Sequence, residues 1–312
     1  MKIYDLIIIG GGPAAMSAGI YAARRKMRTA IIAQAFGGQM NASYVIENYL
    51  GPYGTPGPDL AKKFIWHLNV YKKDLDIKEG ETVKKISGCE TFEKTVITDK
   101  GEYKTKSIII ATGKIERKLD IKGAEEFERK GVTYCATCDA PLFKDKTVAV
   151  VGAGDSGIDT VDQLTHYASK IYWLNKYEQP KGTQVNVART LMENPKVEYF
   201  PQCLPKEIKG DKFVGSLVCE DLATKEEREI EVQGIFVEIG MTPKIDFING
   251  CLKMNEAGEV IVDHRTCATS VPGIFAAGDV ADTKHKQIVV AAGQGAIAAL
   301  SVAEYLKNNN YN

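Results

Sequence analysis

Two stretches of this chain carry one signature: a short aliphatic run, a glycine loop of the form GxGxxG/A, and a helix-forming run. The first is LIIIGGGPAAMSAGIYAARR (6–25), with Gly10, Gly12, Pro13 and Ala15 in the loop. The second is TVAVVGAGDSGIDTVDQL (147–164), with Gly152, Gly154, Asp155, Ser156 and Gly157. In such a loop the first glycine makes a tight turn and the second admits a pyrophosphate to the backbone. The third position lets helix and strand pack, and the helix N-terminus faces the phosphates. A single loop is weak evidence, because a glycine turn between strand and helix is also purely architectural. Two loops, each flanked by strand and helix, point to two dinucleotide-binding domains. They imply electron transfer between two bound nucleotides, commonly flavin and nicotinamide.

The rest of the chain fits that layout. Its 312 residues exceed what one core usually fills. Short β-branched runs alternate with helical stretches, the pattern of parallel sheets covered by helices, so the fold class is α/β. SIIIATGK (107–114) and GIFAAGDVAD (273–282) read as strands that end in Thr112-Gly113 and Gly278-Asp279. Strand ends are where open α/β sheets place ligands, and Asp279 there can accept from a ribose or ribityl hydroxyl, or serve as a helix N-cap. The expected organisation is two Rossmann-like domains, the second inserted into the first: residues 1–114 and 245–312 around an insert of 115–244. Hinges are expected near GKIERK (113–118) and GMTPK (240–244).

Composition removes several classes of partner. Forty basic residues balance forty acidic ones, and no basic block offers a nucleic-acid surface. The apolar run at the N-terminus is too short and too interrupted by glycine for a signal peptide, and no stretch is expected to reach the roughly 18 to 20 apolar residues of a membrane span. Cys89, Cys203, Cys219, Cys251 and Cys267 are scattered singly, which suits a reducing compartment better than a disulfide framework and makes the cytoplasm the expected location. His67, His166, His264 and His285 show no metal spacing, and a Cys267–His264 nucleophile pair is less favoured than a surface reading.

The remaining two cysteines form CATCD (135–139), just before the second glycine loop. In a reducing compartment CxxC is a redox pair or half a metal site, and no second CxxC, CxxH or HxxxH completes a zinc set. A thiolate from this pair is the attacking species in disulfide exchange.

Over essentially its whole length the sequence resembles the low-molecular-weight thioredoxin reductases, class II FAD-dependent pyridine-nucleotide-disulfide oxidoreductases. The matching stretches are GGGPAA (10–15), GGQM (37–40), ENYLG (47–51), ATG (111–113), CATCD, GAGDSG (152–157) and IFAAGDV (274–280). The resemblance implies FAD in the split domain, a redox dithiol in the insert, a homodimer, and a thioredoxin-like protein as disulfide substrate. It makes Cys138 the sulfur nearest the flavin, Cys135 the interchange thiol and Asp139 the proton donor or acceptor, although Asp139 equally suits a helix cap. The FAD site it implies is Gly10, Gly12, Pro13, Ala15, Gly38, Gln39, Asn48, Thr112, Gly113, Gly278, Asp279 and Gln287. The strand after the first helix, in TAIIAQAFGGQ (29–39), lacks the acidic residue that often holds an adenosine ribose. Rotation about the hinges is what the family uses to expose the dithiol alternately to flavin and to partner.

The second nucleotide site departs from the family pattern. NADPH-dependent members have an arginine cluster for the 2′-phosphate where this chain has ASKIYWLNKYEQPKG (168–182), with Asn175, Lys176, Tyr177 and Lys181 at those places. Lysine binds phosphate as a point charge without the planar fork of arginine. Three donors are open: NADPH through Lys176 and Lys181, NADH, or reduced ferredoxin or deazaflavin feeding the FAD directly. The intact GAGDSG favours a nicotinamide, while Ala140, where usual members have glycine, resembles the ferredoxin-linked type. A dithiol oxidase of the same fold and a flavin-binding sensor are the rival functions. A peroxide-linked reductase is disfavoured because its usual N-terminal extension does not precede the first strand, and ferredoxin-NADP reductases lack the CxxC.

Overall fold

The computed structural model describes residues 3–43, 45–134, 136–248 and 250–309, with only the backbone of Val45, Thr137 and Cys138. The chain divides into two compact units, residues 1–115 with 242–312, and 116–241. Lys114–Glu116 and Met241–Pro243, the strands where the chain passes from one unit to the other, form a two-stranded ladder.

Each unit is a dinucleotide-binding domain built on a five-stranded parallel sheet with the glycine-loop strand at its centre. In the first, the order is Ile274–Ala276, Ile108–Ile110, Leu6–Ile9, Thr29–Ala33, Leu75–Glu79. In the second it is Val132–Thr133, Gly234–Val237, Thr147–Val151, Lys170–Leu174, Val197–Phe200. From the central strand the chain first builds outward on one side and only later on the other. A crevice therefore opens at the carboxyl end of the central strand, where the direction of building reverses. The two sheets differ in where the far edge strand comes from: late in the chain for the first unit, and ahead of the central strand for the second.

The inner strands Leu6–Ile9, Thr29–Ala33, Ile108–Ile110, Thr147–Val151 and Gly234–Val237 are largely apolar because both their faces are covered. Leu6 and Ile8 face a core with the Pro13–Arg24 and Ile288–Asn308 helices, while Ile7 and Ile9 face a second core toward a four-stranded sheet of Ile3–Tyr4, Glu102–Thr105, Lys94–Thr98 and Val83–Ser87. The second unit repeats the device. Val148, Val150 and Trp173 pack with helices Asp155–Thr165 and Val185–Met192, and Ala149, Val151 and Leu174 pack toward a three-stranded sheet that begins with Cys203–Gly210.

Two expectations need correction. The Ile288–Asn308 helix is long and apolar enough, by length and composition, to cross a membrane. Its apolarity has a local cause in this fold. Ala291, Gly295, Ala298, Ala299 and Val302 are buried along one side, and a Cβ on Gly295 would stand 2.1 Å from the carbonyl oxygen of Ala14, so the two helices meet backbone to backbone. Cys89 and Cys251 do not stand singly. They are joined by a disulfide with a Cα–Cα distance of 6.5 Å, because the fold lays the turn after Val83–Ser87 beside the loop after Asp246–Ile248.

Candidate active site

The first glycine loop turns at Gly10, whose φ of +130° is strained for any L side chain and whose Cβ would lie 2.2 Å from the Ala111 carbonyl oxygen of the neighbouring strand. Gly12 precedes the Pro13–Arg24 helix, with Pro13 at the first helical position and no atom within 4 Å of where its Cβ would be. The loop thus closes tightly against the sheet and stays open on its outer side. Ala15 is buried in the core beneath it.

Several distant segments converge on this loop. The Gly37 amide donates to the Gly11 carbonyl at 2.9 Å, and a Cβ on Gly38 would come within 3.1 Å of the Gly12 Cα. Gln39 follows on the Gly38–Ala42 turn, and its Nε2 donates to the Lys114 carbonyl at 3.0 Å, next to Gly113. From the C-terminal side, Gly278 packs on Ala14, and its amide donates to Gln294 Oε1 at 2.8 Å. Asn48 Nδ2 donates to Gln287 Oε1 at 2.9 Å across 239 residues of sequence.

Two polar groups at this site lack hydrogen-bond partners among the described residues. The Thr112 hydroxyl is buried and unpaired, a state that folded proteins normally avoid unless a ligand or water completes it. Asp279 is half-buried in a turn, and burial raises its carboxyl above the ordinary range while the ammonium groups of Lys286 and Lys114 pull it back. Its carboxylate caps no helix. A glycine cradle, an orphaned hydroxyl and a carboxylate without a donor fit a dinucleotide with hydroxyl groups, as FAD has.

Sequence reasoning missed the ionic group beside Asp279. Glu259 Oε1 accepts from Lys114 Nζ at 2.7 Å and Lys286 Nζ at 2.9 Å, and Lys286 also donates to the Ala281 carbonyl at 2.6 Å and the Asp279 carbonyl at 3.3 Å. Burial opposes ionisation of Glu259, but hydrogen bonds from Lys114, Lys286 and Asn255 outweigh it and hold the carboxyl at about 2. Gln294 was missed as well. Neither lies in a motif, and only the three-dimensional pairing exposes them.

In the second unit Gly152 repeats the turn of Gly10. Its φ is +117°, a Cβ would lie 2.1 Å from the Glu238 carbonyl oxygen, and the buried Trp173 indole N–H fixes its own carbonyl at 2.8 Å. Around the turn, however, the side chains are engaged. Asp155 Oδ1 accepts from the amides of Thr183 at 2.7 Å and Gln184 at 3.1 Å, and Oδ2 from the Thr183 hydroxyl at 3.1 Å. The Lys181 amide donates to the Ala153 carbonyl at 2.9 Å, so the 181–184 loop is tied down beside the glycine loop, with Gly154 facing the Lys181 carbonyl at 4.0 Å from its would-be Cβ. Glu238 Oε1 accepts from the Thr160 hydroxyl at 2.9 Å. Burial pushes its carboxyl up to about 7, against hydrogen bonds from Thr160 and Ser156. Glu238 is a further residue that no motif announced.

Past the end of the next strand, buried Asn175 spends its amide on the Tyr199 hydroxyl at 2.7 Å and its carbonyl on the Tyr177 amide at 3.1 Å. Lys181 Nζ lies 3.4 Å and Lys176 Nζ 5.3 Å from the Tyr177 ring centroid, so both exposed ammonium groups gather on one aromatic ring.

Cys135 lies outside the described residues. Cys138 belongs to the short Ala136–Asp139 helix, and Asp139 accepts a hydrogen bond from the Thr133 hydroxyl while making no side-chain cap to the turn that follows. Cys267 is fully buried, its thiol pushed up to about 11 by burial, whereas His264 is exposed and 3.6 Å from Asp282; the two form no nucleophile pair.

A family model described as pyridine nucleotide-disulphide oxidoreductase matches residues 4–295. The chain belongs to that family. Its members use FAD with a pyridine nucleotide, which accounts for two dinucleotide folds in one chain. Among solved structures this oxidoreductase is similar to the thioredoxin reductase of Lactococcus lactis, with a TM-score of 0.83 and 35% identity over 98% of this chain and 99% of that one. It is also similar to a ferredoxin-flavin thioredoxin reductase of Clostridium acetobutylicum, with a TM-score of 0.53 and 31% identity over 98% and 99%. Among curated proteins it is 38% identical to an NADH dehydrogenase of Bacillus subtilis (strain 168), over 98% of this chain and 59% of the relative. It is 37% identical to one component of the alkyl hydroperoxide reductase of Pseudomonas aeruginosa, over 97% and 58%. The chain thus spans about three fifths of the length of these curated relatives.

Proposed function

We propose that this FAD-dependent disulfide oxidoreductase reduces the disulfide of a thioredoxin or thioredoxin-like protein through Cys135 and Cys138, with NADPH or NADH as electron donor. The observation that carries the reading is the CATCD segment: it stands in the unit built around the second glycine loop, in a chain similar along its length to thioredoxin reductases. A flavin bound in the first unit would supply two-electron reduction of the Cys135–Cys138 disulfide. Gly10, Gly12, Pro13, Ala15, Gly38 and Gln39 would hold its pyrophosphate, and Asn48, Thr112, Gly113, Gly278, Asp279 and Gln287 its polar groups. In the second unit Gly152, Gly154 and Ser156 would hold a nicotinamide dinucleotide, Lys176 and Lys181 would favour a phosphorylated ribose, and Asp155 braces the neighbouring Thr183–Gln184 loop.

In the half of the cycle that oxidises the enzyme dithiol, the Cys135 thiolate attacks one sulfur of the partner disulfide. The partner S–S bond breaks, a mixed disulfide forms, and the departing partner thiolate takes a proton. The Cys138 thiolate then attacks the Cys135 sulfur, releasing the second partner thiol and leaving the Cys135–Cys138 disulfide, so two electrons have passed to the partner. Asp139, steadied by Thr133, supplies or removes the proton. The active species is a homodimer working in a cytoplasmic, reducing compartment.

The deciding experiment is anaerobic mixing of the purified flavoprotein with NADPH, NADH and reduced ferredoxin in turn, followed by thioredoxin disulfide. Bleaching by a nicotinamide and loss of thioredoxin reduction in Cys138→Ser are expected. Bleaching by ferredoxin alone would reassign the donor, in line with the ferredoxin-linked relative. Reduction of a peroxidase-type partner but not thioredoxin would reassign the substrate.

A further inference from the structure

We propose that Cys89 and Cys251 are a second thiol–disulfide couple, distinct from Cys135–Cys138, which closes by exchange with a small-molecule disulfide, opens by exchange with two small-molecule thiols that are oxidised to one disulfide, and clasps the segment on which the inserted unit returns to the first. Neither cysteine lies in a motif, and only the fold brings them together across 162 residues. Their Cα separation of 6.5 Å is within the range a disulfide spans.

Access separates this pair from the other described cysteines. Cys203, Cys219 and Cys267 are free and buried, Cys203 and Cys219 against each other in the core of the second unit. Cys89 and Cys251 are only partly buried, packed at the margin of the core that includes Ile86, Phe247 and Ile248. Part of each residue is open to solvent, an approach that the interior cysteines lack.

The loop this bond closes gives the couple its consequence. Residues 116–241 all lie between Cys89 and Cys251, as do both strands that lead into and out of the insert. Cys89 sits in the turn joining Val83–Ser87 to Lys94–Thr98, an antiparallel pair. Cys251 follows shortly after the Met241–Pro243 strand, and its amide donates to the Ile248 carbonyl at 3.3 Å. When closed, the bond fastens the landing segment of the return strand to a sheet. When open, that segment loses this tie and keeps the 246–248 turn and the apolar contacts of Phe247 and Ile248.

The closing step balances with one small-molecule disulfide as oxidant. One of the two thiolates attacks a sulfur of the disulfide and expels one small thiol, leaving a mixed disulfide on the protein. The second thiolate then attacks the protein sulfur and expels the other small thiol. Two electrons leave the cysteine pair, and one disulfide is reduced to two thiols.

The test uses the wild-type flavoprotein equilibrated anaerobically in buffers of graded reduced and oxidised glutathione, quenched with acid, alkylated without reductant and digested. The expected result is a peptide linking Cys89 to Cys251 that goes from nearly complete to nearly absent across the series. Backbone amide exchange over residues 245–252 should be faster in the open form. Cys251→Ser should accumulate one glutathione on Cys89, and Cys89→Ser one on Cys251; if either variant fails to fold, the wild-type titration still decides. Alkylation of both cysteines in the most oxidising buffer overturns the proposal. So does a linked peptide that survives dithiothreitol in the native protein, since the bond is then a sealed staple. Neither readout depends on the electron donor or on thioredoxin.

Discussion

The two glycine loops have the same backbone and opposite surroundings. Gly10 and Gly152 both turn at positive φ with a carbonyl of the neighbouring strand about 2 Å from a would-be Cβ, each at the point where its sheet reverses direction. Beside the first loop lie groups still in need of partners, the Thr112 hydroxyl and the Asp279 carboxylate, with the ammonium groups of Lys114 and Lys286 close by. Beside the second the polar groups are spent: Asp155 on the Thr183 and Gln184 amides, Glu238 on Thr160, Asn175 on Tyr199. A resident cofactor fits a site that is incomplete without it. A transient substrate fits one that is satisfied when empty, because each departure leaves no buried group orphaned.

The largest effects should separate the loops. Gly10→Ala places a methyl group into the Ala111 carbonyl at a φ few L residues adopt, at a cost on the order of 3 kcal/mol or more. It should yield protein without flavin absorbance, whereas Gly152→Ala should keep the flavin and lose bleaching by nicotinamide. Flavin loss in both variants would erase the distinction between resident and transient sites.

Glu259→Gln comes next. It leaves two ammonium groups without their carboxylate and should cost about 3 kcal/mol in urea unfolding at pH 7. The carboxyl of Glu259 lies at about 2 in the folded protein against an ordinary 4.5. Its stabilisation is therefore complete above pH 4.5 and lost as pH falls toward 2. The variant should lack that portion of the acid sensitivity.

A smaller effect is expected for Lys176→Ala with Lys181→Ala. At ~0.5 kcal/mol for each exposed charge, the double variant should raise the KM for NADPH about fivefold and leave that for NADH unchanged. An equal rise for both cofactors would assign the lysines to the shared pyrophosphate.

Glu238→Gln should show the opposite pH dependence to Glu259→Gln. The Glu238 carboxyl lies at about 7, above its ordinary 4.5, so the folded state holds a proton that the unfolded chain has released. Its contribution to stability is present below pH 4.5 and lost as pH rises through 7. The unfolding free energy of the wild type should decline across that window relative to the Gln variant, by up to about 3 kcal/mol, as moving a carboxyl from 4.5 to about 7 implies.

Strand, turn and helix of both dinucleotide folds could be read from LIIIGGGPAA and TVAVVGAGDSG, because each local preference there agrees with the final structure. The ring of Lys114, Glu259 and Lys286 could not. Lysine and glutamate 145 residues apart look like ordinary surface charges until the fold buries them together. The disulfide between Cys89 and Cys251 was hidden for the same reason, and so was the Ile288–Asn308 helix's use of small residues to approach Ala14. Glu238 escaped notice because a glutamate at the end of an aliphatic strand has no periodic or motif signature. What sequence spacing encodes is local geometry, whereas these features belong to contacts between elements.

The sheet order of the first unit has a consequence for how the protein is made. Ile108–Ile110 pairs on one side with Leu6–Ile9, which leaves the ribosome before it, and on the other with Ile274–Ala276, which leaves long after. In the interval the whole of residues 116–241 emerges as one continuous piece with every strand of its own parallel sheet. During synthesis the later-encoded unit is therefore the first able to complete its sheet. The unit that opens the chain waits with an aliphatic strand edge uncovered, a period in which that edge is open to pairing with the wrong strand.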